Sequence, residues 1–145
     1  MDFTQIDHAI SAFKEGKLVA IPTETVYGLS APYNDLKLVK RIFELKSRPL
    51  FDPLIVHVSD IEQAKTLTKS WSHGAQKLAE KFWPGPLTMV LEKSNLVDDL
   101  ISSGLSTVGI RCPNNSLSLE FIKKLNTPLA APSANHFKKT SPSMA

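Results

Sequence analysis

The stretch E-L-K-S-R-P-L-F-D-P-L-I-V-H-V, residues 44–58, joins the end of a helical pattern to a short apolar run. Pro49 and Pro53 cannot continue a helix, and each pushes the residue before it towards extended geometry. Leu54, Ile55 and Val56 then read as a buried strand. That sets His57 at the strand's C-terminal end, where open α/β sheets bind their ligands. Lys46 and Arg48 are expected on a stiff, partly extended connection, two residues apart, so that both can point to one side. Asp52 follows them. Arginine offers a planar fork for phosphate or carboxylate, and lysine a movable point charge. Two readings stand for this stretch. It is a ligand site, or it is a helix C-terminus whose basic residues complement the macrodipole, followed by a structural histidine.

Outward from this junction, helix and strand patterns alternate. Apolar spacing predicts helices over 3–15, 35–46, 61–67, 71–82 and 117–125, with Thr4 as the first N-cap and Gly16 as its stop. Strands are expected at 18–21, 54–58, 87–91, 107–112 and 129–131, with a turn at 32–34 and a short helix and turn within 96–105. The alternation implies an α/β layered fold with helices packed on a twisted sheet. Long helical crossovers favour parallel neighbours. His8 and His73 are expected on the surface, and Glu62 and Lys65 as solvated helix charges.

A chain of 145 residues matches one domain with a real core. Its 42% hydrophobic and 21% charged content are those of a soluble globular protein. No window is long enough to span a bilayer, and M-D-F-T-Q lacks the basic start and apolar core of a signal peptide. Cys112 stands alone, which permits no internal disulfide, suits a reducing cytoplasm and reads as a buried, inert thiol. The formal charge of +3 is compatible with anionic ligands without establishing nucleic-acid binding.

Three further polar clusters lie at expected strand ends. Thr23, Glu24, Thr25 and Tyr27 could bind a small polar ligand, or could simply be good strand formers. In S-T-V-G-I-R, residues 106–111, alternation places Thr107, Gly109 and Arg111 on one face and Val108 and Ile110 on the other. Arg111 either snorkels to solvent or meets an anion. In A-A-P-S-A-N, residues 130–135, Ser133 and Asn135 offer short hydrogen bonds beside small residues, or form an ordinary turn. There is no phosphate-binding glycine loop, zinc spacing or nucleophile elbow.

Taken together, P-T-E-T-V-Y-G-L (22–29), K-S-R-P (46–49), P-L-I-V-H (53–57), V-G-I-R-C-P (108–113) and A-P-S-A-N (131–135) occur in the order and spacing of the YrdC/TsaC family, which the chain resembles from about residue 5 onward. The resemblance implies a YrdC-like α/β fold, a twisted mixed or parallel sheet with helices packed on it around a basic cavity. It implies synthesis of L-threonylcarbamoyladenylate from L-threonine, bicarbonate or CO2, and ATP with Mg2+, releasing pyrophosphate. The product serves N6-threonylcarbamoyladenosine (t6A) formation in tRNA through downstream transfer proteins, in the cytoplasm. By similarity, Lys46 and Arg48 are the catalytic cations, and Thr25, His57, Arg111 and Ala131 hold threonine. Arg48, Asp52, Thr107, Ser133, Asn135 and Ser141 hold ATP, and Thr23 and Tyr27 shape the walls. Asp52 stands where most relatives carry asparagine, and Phe137 and Lys138 where they carry a serine-glycine pair. The family domain normally continues past the position of Ala145, so the expectation is a YrdC-like domain over 1–145, incomplete at its C-terminus. The alternative is a non-catalytic module of the same fold that binds nucleotide, tRNA or double-stranded RNA, with salt-sensitive affinity.

Overall fold

In the computed structural model, which describes residues 2–22, 27–47 and 49–132, the chain starts on a capping box. The Asp2 carboxylate accepts from the Thr4 N–H at 2.9 Å and the Thr4 hydroxyl at 2.6 Å, while Gln5 accepts from the Asp2 N–H at 2.9 Å. The cap is therefore Asp2, not Thr4 as the sequence suggested. A carboxylate can only accept, so it makes the threonine hydroxyl a donor. That hydroxyl also holds the Asp2 carboxyl below its ordinary pKa. A 3-10 turn, Phe3–Gln5, leads into α1 (Ile6–Lys14), which buries Ile6, Ala9 and Phe13. Gly16, with φ +80°, stops it as expected.

β1 (Val19–Pro22) and β2 (Tyr27–Pro32) pair antiparallel, Val19 opposite Ser30 and Pro22 opposite Tyr27. β2 is a strand that periodicity did not predict. Gly28, Ser30, Ala31 and Pro32 are weak strand formers, so pairing and burial make this strand rather than propensity. Asp35 caps α2 (Leu36–Leu45), which buries Leu38, Val39, Ile42 and Phe43. Then follow β3 (Ile55–His57), α3 (Ile61–Thr66), α4 (His73–Phe82), β4 (Thr88–Glu92), α5 (Asp99–Ser102), β5 (Thr107–Arg111), α6 (Ser116–Leu125) and β6 (Leu129–Ala130).

The sheet runs β1-β2-β6-β3-β5-β4. Only β3 and β5 are parallel, and every other neighbouring pair is antiparallel. The sheet is mixed, and the expectation that crossovers favour parallel neighbours holds at one seam. β6 returns from α6 to lie between β2 and β3, antiparallel to both. Ala31, Val56, Val108, Ile110 and Ala130 are buried, and α2 packs on β2 and α5 on β5. The Phe13 and Phe121 rings stack at 5.6 Å, joining α1 to α6. Truncating such a ring to alanine costs about 3–5 kcal/mol. His8 and His73 are exposed, Cys112 is buried, and Glu62 pairs with Lys65 at 3.4 Å in solvent, all as expected. Among the described residues no helix is long and apolar enough to cross a membrane.

Candidate active site

Strand register decides which side chains share a surface. In the parallel seam Ile55 lies beside Gly109, and His57 beside Arg111. Alternation puts these four and Thr107 on one face, and the burial of β5 agrees: Val108 and Ile110 are buried while Thr107, Gly109 and Arg111 are partly exposed. Across β3, Leu129 lies opposite His57, so Ala131, two residues on, belongs to the same face. The Ala131 N–H donates to the Ile55 carbonyl at 2.9 Å, which extends the ladder past β6. Gly28 adjoins it: a Cβ there would lie 3.3 Å from the Ala131 Cβ and 3.4 Å from the Pro132 carbonyl oxygen. Gly28, Gly109 and Ala131 thus lie on this face beside Ile55 and Leu129, together with the two large polar side chains of His57 and Arg111.

His57 is 4% exposed, and its Nε2 lies 3.3 Å from the Ala131 carbonyl oxygen, joining positions 74 apart in the chain. A carbonyl only accepts, so this contact favours the tautomer with hydrogen on Nε2. Arg111 donates from Nε to the Gly85 carbonyl at 3.4 Å. A carbonyl carries no net charge, so the contact orients the guanidinium without cancelling it. Gly85 is held in turn, its N–H donating to the Cys112 carbonyl at 2.8 Å. Any Cβ at Gly85 would collide with the Phe82 carbonyl, so that position tolerates only glycine.

The segment from Lys46 to Leu54 enters β3 from the other end. Lys46 is the C-cap of α2, with φ −88° and ψ −3°, and is 5% exposed. Ser47 takes φ 51°. The extended geometry expected at Lys46 is therefore absent, and Arg48, the other cation of that expectation, lies outside the described residues. Pro49 restricts only the residue before it, and the helix ends instead in a left-handed residue whose N–H reaches the Glu44 carbonyl at 3.3 Å. Lys46 thus sits at the negative end of α2, and the macrodipole favours its charge there. Beyond it the backbone is latched. The Asp52 N–H donates to Pro49 at 3.1 Å, Ser103 Oγ to the Leu50 carbonyl at 2.6 Å, and the Leu54 N–H to Ile101 at 3.0 Å.

The candidates do not gather at one carboxyl edge. His57 and Arg111 end their strands, while Thr107, Ala131, Tyr27 and Asp52 lie towards the opposite end of the sheet. What His57, Arg111, Thr107 and Ala131 share is a face, and the three residues of β3 span only about 7 Å. Thr23, Thr25, Arg48, Ser133, Asn135 and Ser141, with Phe137 and Lys138, lie outside the described residues, and so does part of the expected lining of the basic cavity. Sequence reading missed Gly28, Gly85 and Ser103. The glycines stood in plain view, but Ser103 acts on a carbonyl 53 positions away and carries no local signal.

The family model Sua5_yciO_yrdC, described as "Telomere recombination", matches residues 11–145. The threonylcarbamoyl-AMP synthase of Pyrococcus abyssi is 50% identical over 137 residues, covering 94% of this chain and 40% of that protein. That of Bacillus subtilis is 44% identical over 142 residues, covering 97% and 41%. The crystal structure of P. abyssi Sua5 complexed with L-threonine superposes with a TM-score of 0.93 at 48% identity, over 98% of this chain and 42% of that one. The chain therefore spans about 40% of the length of these curated relatives. A match over that much of the chain, on the same mixed sheet, makes it a member of the Sua5/YciO/YrdC family.

Proposed function

We propose that this chain carries threonylcarbamoyl-AMP synthase chemistry. The threonine amine adds to CO2, forming a nitrogen–carbon bond and releasing a proton. An oxygen of the carbamate then attacks the α-phosphorus of ATP, the bond to the bridging oxygen breaks, and pyrophosphate leaves. An anion must approach an anion, so fixed cations are the central requirement. At ~4 Å, two unit charges interact by about 4 kcal/mol at an effective dielectric near 20. That corresponds to roughly a thousandfold in rate.

Arg111 takes the threonine carboxylate in its planar fork, and His57 with Ala131 fixes the rest of the amino acid against that same face. Lys46 and Arg48 supply positive charge at the phosphates, and Asp52, Thr107, Ser133, Asn135 and Ser141 position the nucleotide. Magnesium enters with ATP, since it is commonly held by substrate phosphates and water rather than by a protein cage. Among the described residues no group of three or more His, Cys, Asp or Glu side chains is placed to hold a metal. The product would pass to the transfer proteins that modify tRNA, in the cytoplasm.

The observation that carries this reading is the register pairing of His57 with Arg111 beside the Ala131 carbonyl. It sets a guanidinium and a polar ring next to the small residues Gly109 and Ala131. The test is pyrophosphate release with ATP, Mg2+ and bicarbonate, with and without L-threonine. Release that depends on threonine supports the reading, and release indifferent to threonine excludes it.

A further inference from the structure

We propose that Phe51 is a stacking platform for the adenine ring of ATP; this deepens the nucleotide reading above and rests on it. Phe51 is 77% exposed and Leu50 58% exposed, and neither belongs to the hydrophobic core. One exposed apolar side chain needs no explanation. Here two stand together on a turn between Pro49 and Pro53, with the backbone pinned by the Pro49, Ile101 and Ser103 hydrogen bonds. A ring on an anchored backbone loses little further freedom when it is covered.

The Ser103 latch also ties this turn to the segment leading into β5, where Leu105 is 52% exposed. Asp52 adjoins Phe51, and Thr107 lies two residues beyond Leu105. Both latched segments therefore carry exposed apolar side chains, Leu50 and Phe51 on one and Leu105 on the other, close in sequence to Asp52 and Thr107, the residues assigned above to the nucleotide. ATP has the same division, a polyanionic chain and a flat base with apolar, π-rich faces. An aromatic ring binds such a face without needing hydrogen-bond partners.

The experiment compares wild type, Phe51→Ala and Phe51→Trp. Calorimetry measures binding of Mg–ATP and of inorganic tripolyphosphate, and turnover gives kcat and KM for ATP. The expected result is about tenfold weaker ATP binding in F51A. KM for ATP should rise in parallel, while kcat, melting temperature and tripolyphosphate binding stay unchanged and F51W keeps full affinity. Equal ATP affinity in wild type and F51A overturns the proposal. So does a parallel loss of tripolyphosphate binding, because the ring would then be acting on the turn and not on the base. A chain that binds ATP but releases no pyrophosphate sinks the synthase activity alone, and the calorimetric comparison still decides Phe51. A chain that binds no ATP overturns both.

Discussion

The floor of the site and the turn beside it are held by different means. His57 and Arg111 are fixed by ladder hydrogen bonds, including the Val58 N–H to Arg111 and the Ala131 N–H to Ile55, each at 2.9 Å. Directly behind them lie Val56 and Ile110, both fully buried, so displacing the floor means disturbing the core. The turn at 49–52 has no such backing. Leu50 and Phe51 are exposed, and the Leu50 carbonyl relies on the hydroxyl of Ser103. Core packing thus secures the proposed threonine end of the site, while a few individual contacts secure the nucleotide end. Substitutions in the two regions should separate accordingly.

The largest effect is expected at Lys46, the described cation proposed to act at the phosphates. Lys46→Met keeps the long apolar stem and removes the charge. If the residue only complements the macrodipole, the loss is about 0.3–1 kcal/mol of stability with activity intact. If it stabilises developing charge, pyrophosphate release falls roughly a thousandfold. Steady-state kinetics beside a thermal melt distinguish the two outcomes.

The same contrast governs what the sequence could reveal. The β5 face was legible because Thr107, Gly109 and Arg111 alternate strictly with Val108 and Ile110, and the structure reproduces that burial. Helix starts at Asp35 and Asp60 were legible from short polar residues, whereas the start expected at Trp71 falls just ahead of the actual cap, Ser72. β2 was not, since a strand of small residues is specified by its partners β1 and β6 rather than by its own pattern. The joint at Lys46 and Ser47 was misread because two prolines suggested extended chain, whereas a left-handed residue had already ended the helix. Long-range side-chain contacts such as Ser103 to Leu50 leave no periodic trace at all.

The second effect concerns the floor. Arg111→Ala should raise KM for threonine about a hundredfold, in line with roughly 1.5–3 kcal/mol for a hydrogen bond to a charged group. KM for ATP should change little. Arg111→Lys restores the charge without the fork and should recover only part of the loss. A rise in KM for ATP of the same size as that for threonine would show that the two ends of the site are not separable, and the contrast drawn here would fail.

The smallest effect tests the latch. Ser103→Ala removes the donor to the Leu50 carbonyl, at a cost of about 0.5–1.5 kcal/mol. Water can replace it, since Leu50 is exposed. The turn should loosen, raising KM for ATP about threefold, with KM for threonine unchanged. Ser103 also occupies a left-handed conformation, φ 55° and ψ 38°, which glycine adopts at lower cost. Ser103→Gly therefore removes the same hydroxyl while relieving backbone strain, so its melting temperature should exceed that of S103A. If the hydroxyl acts by holding the turn, both variants share the raised KM for ATP despite their different stabilities. If KM instead follows the melting temperature, the effect belongs to α5 as a whole, and the turn owes its position to the proline pair rather than to Ser103.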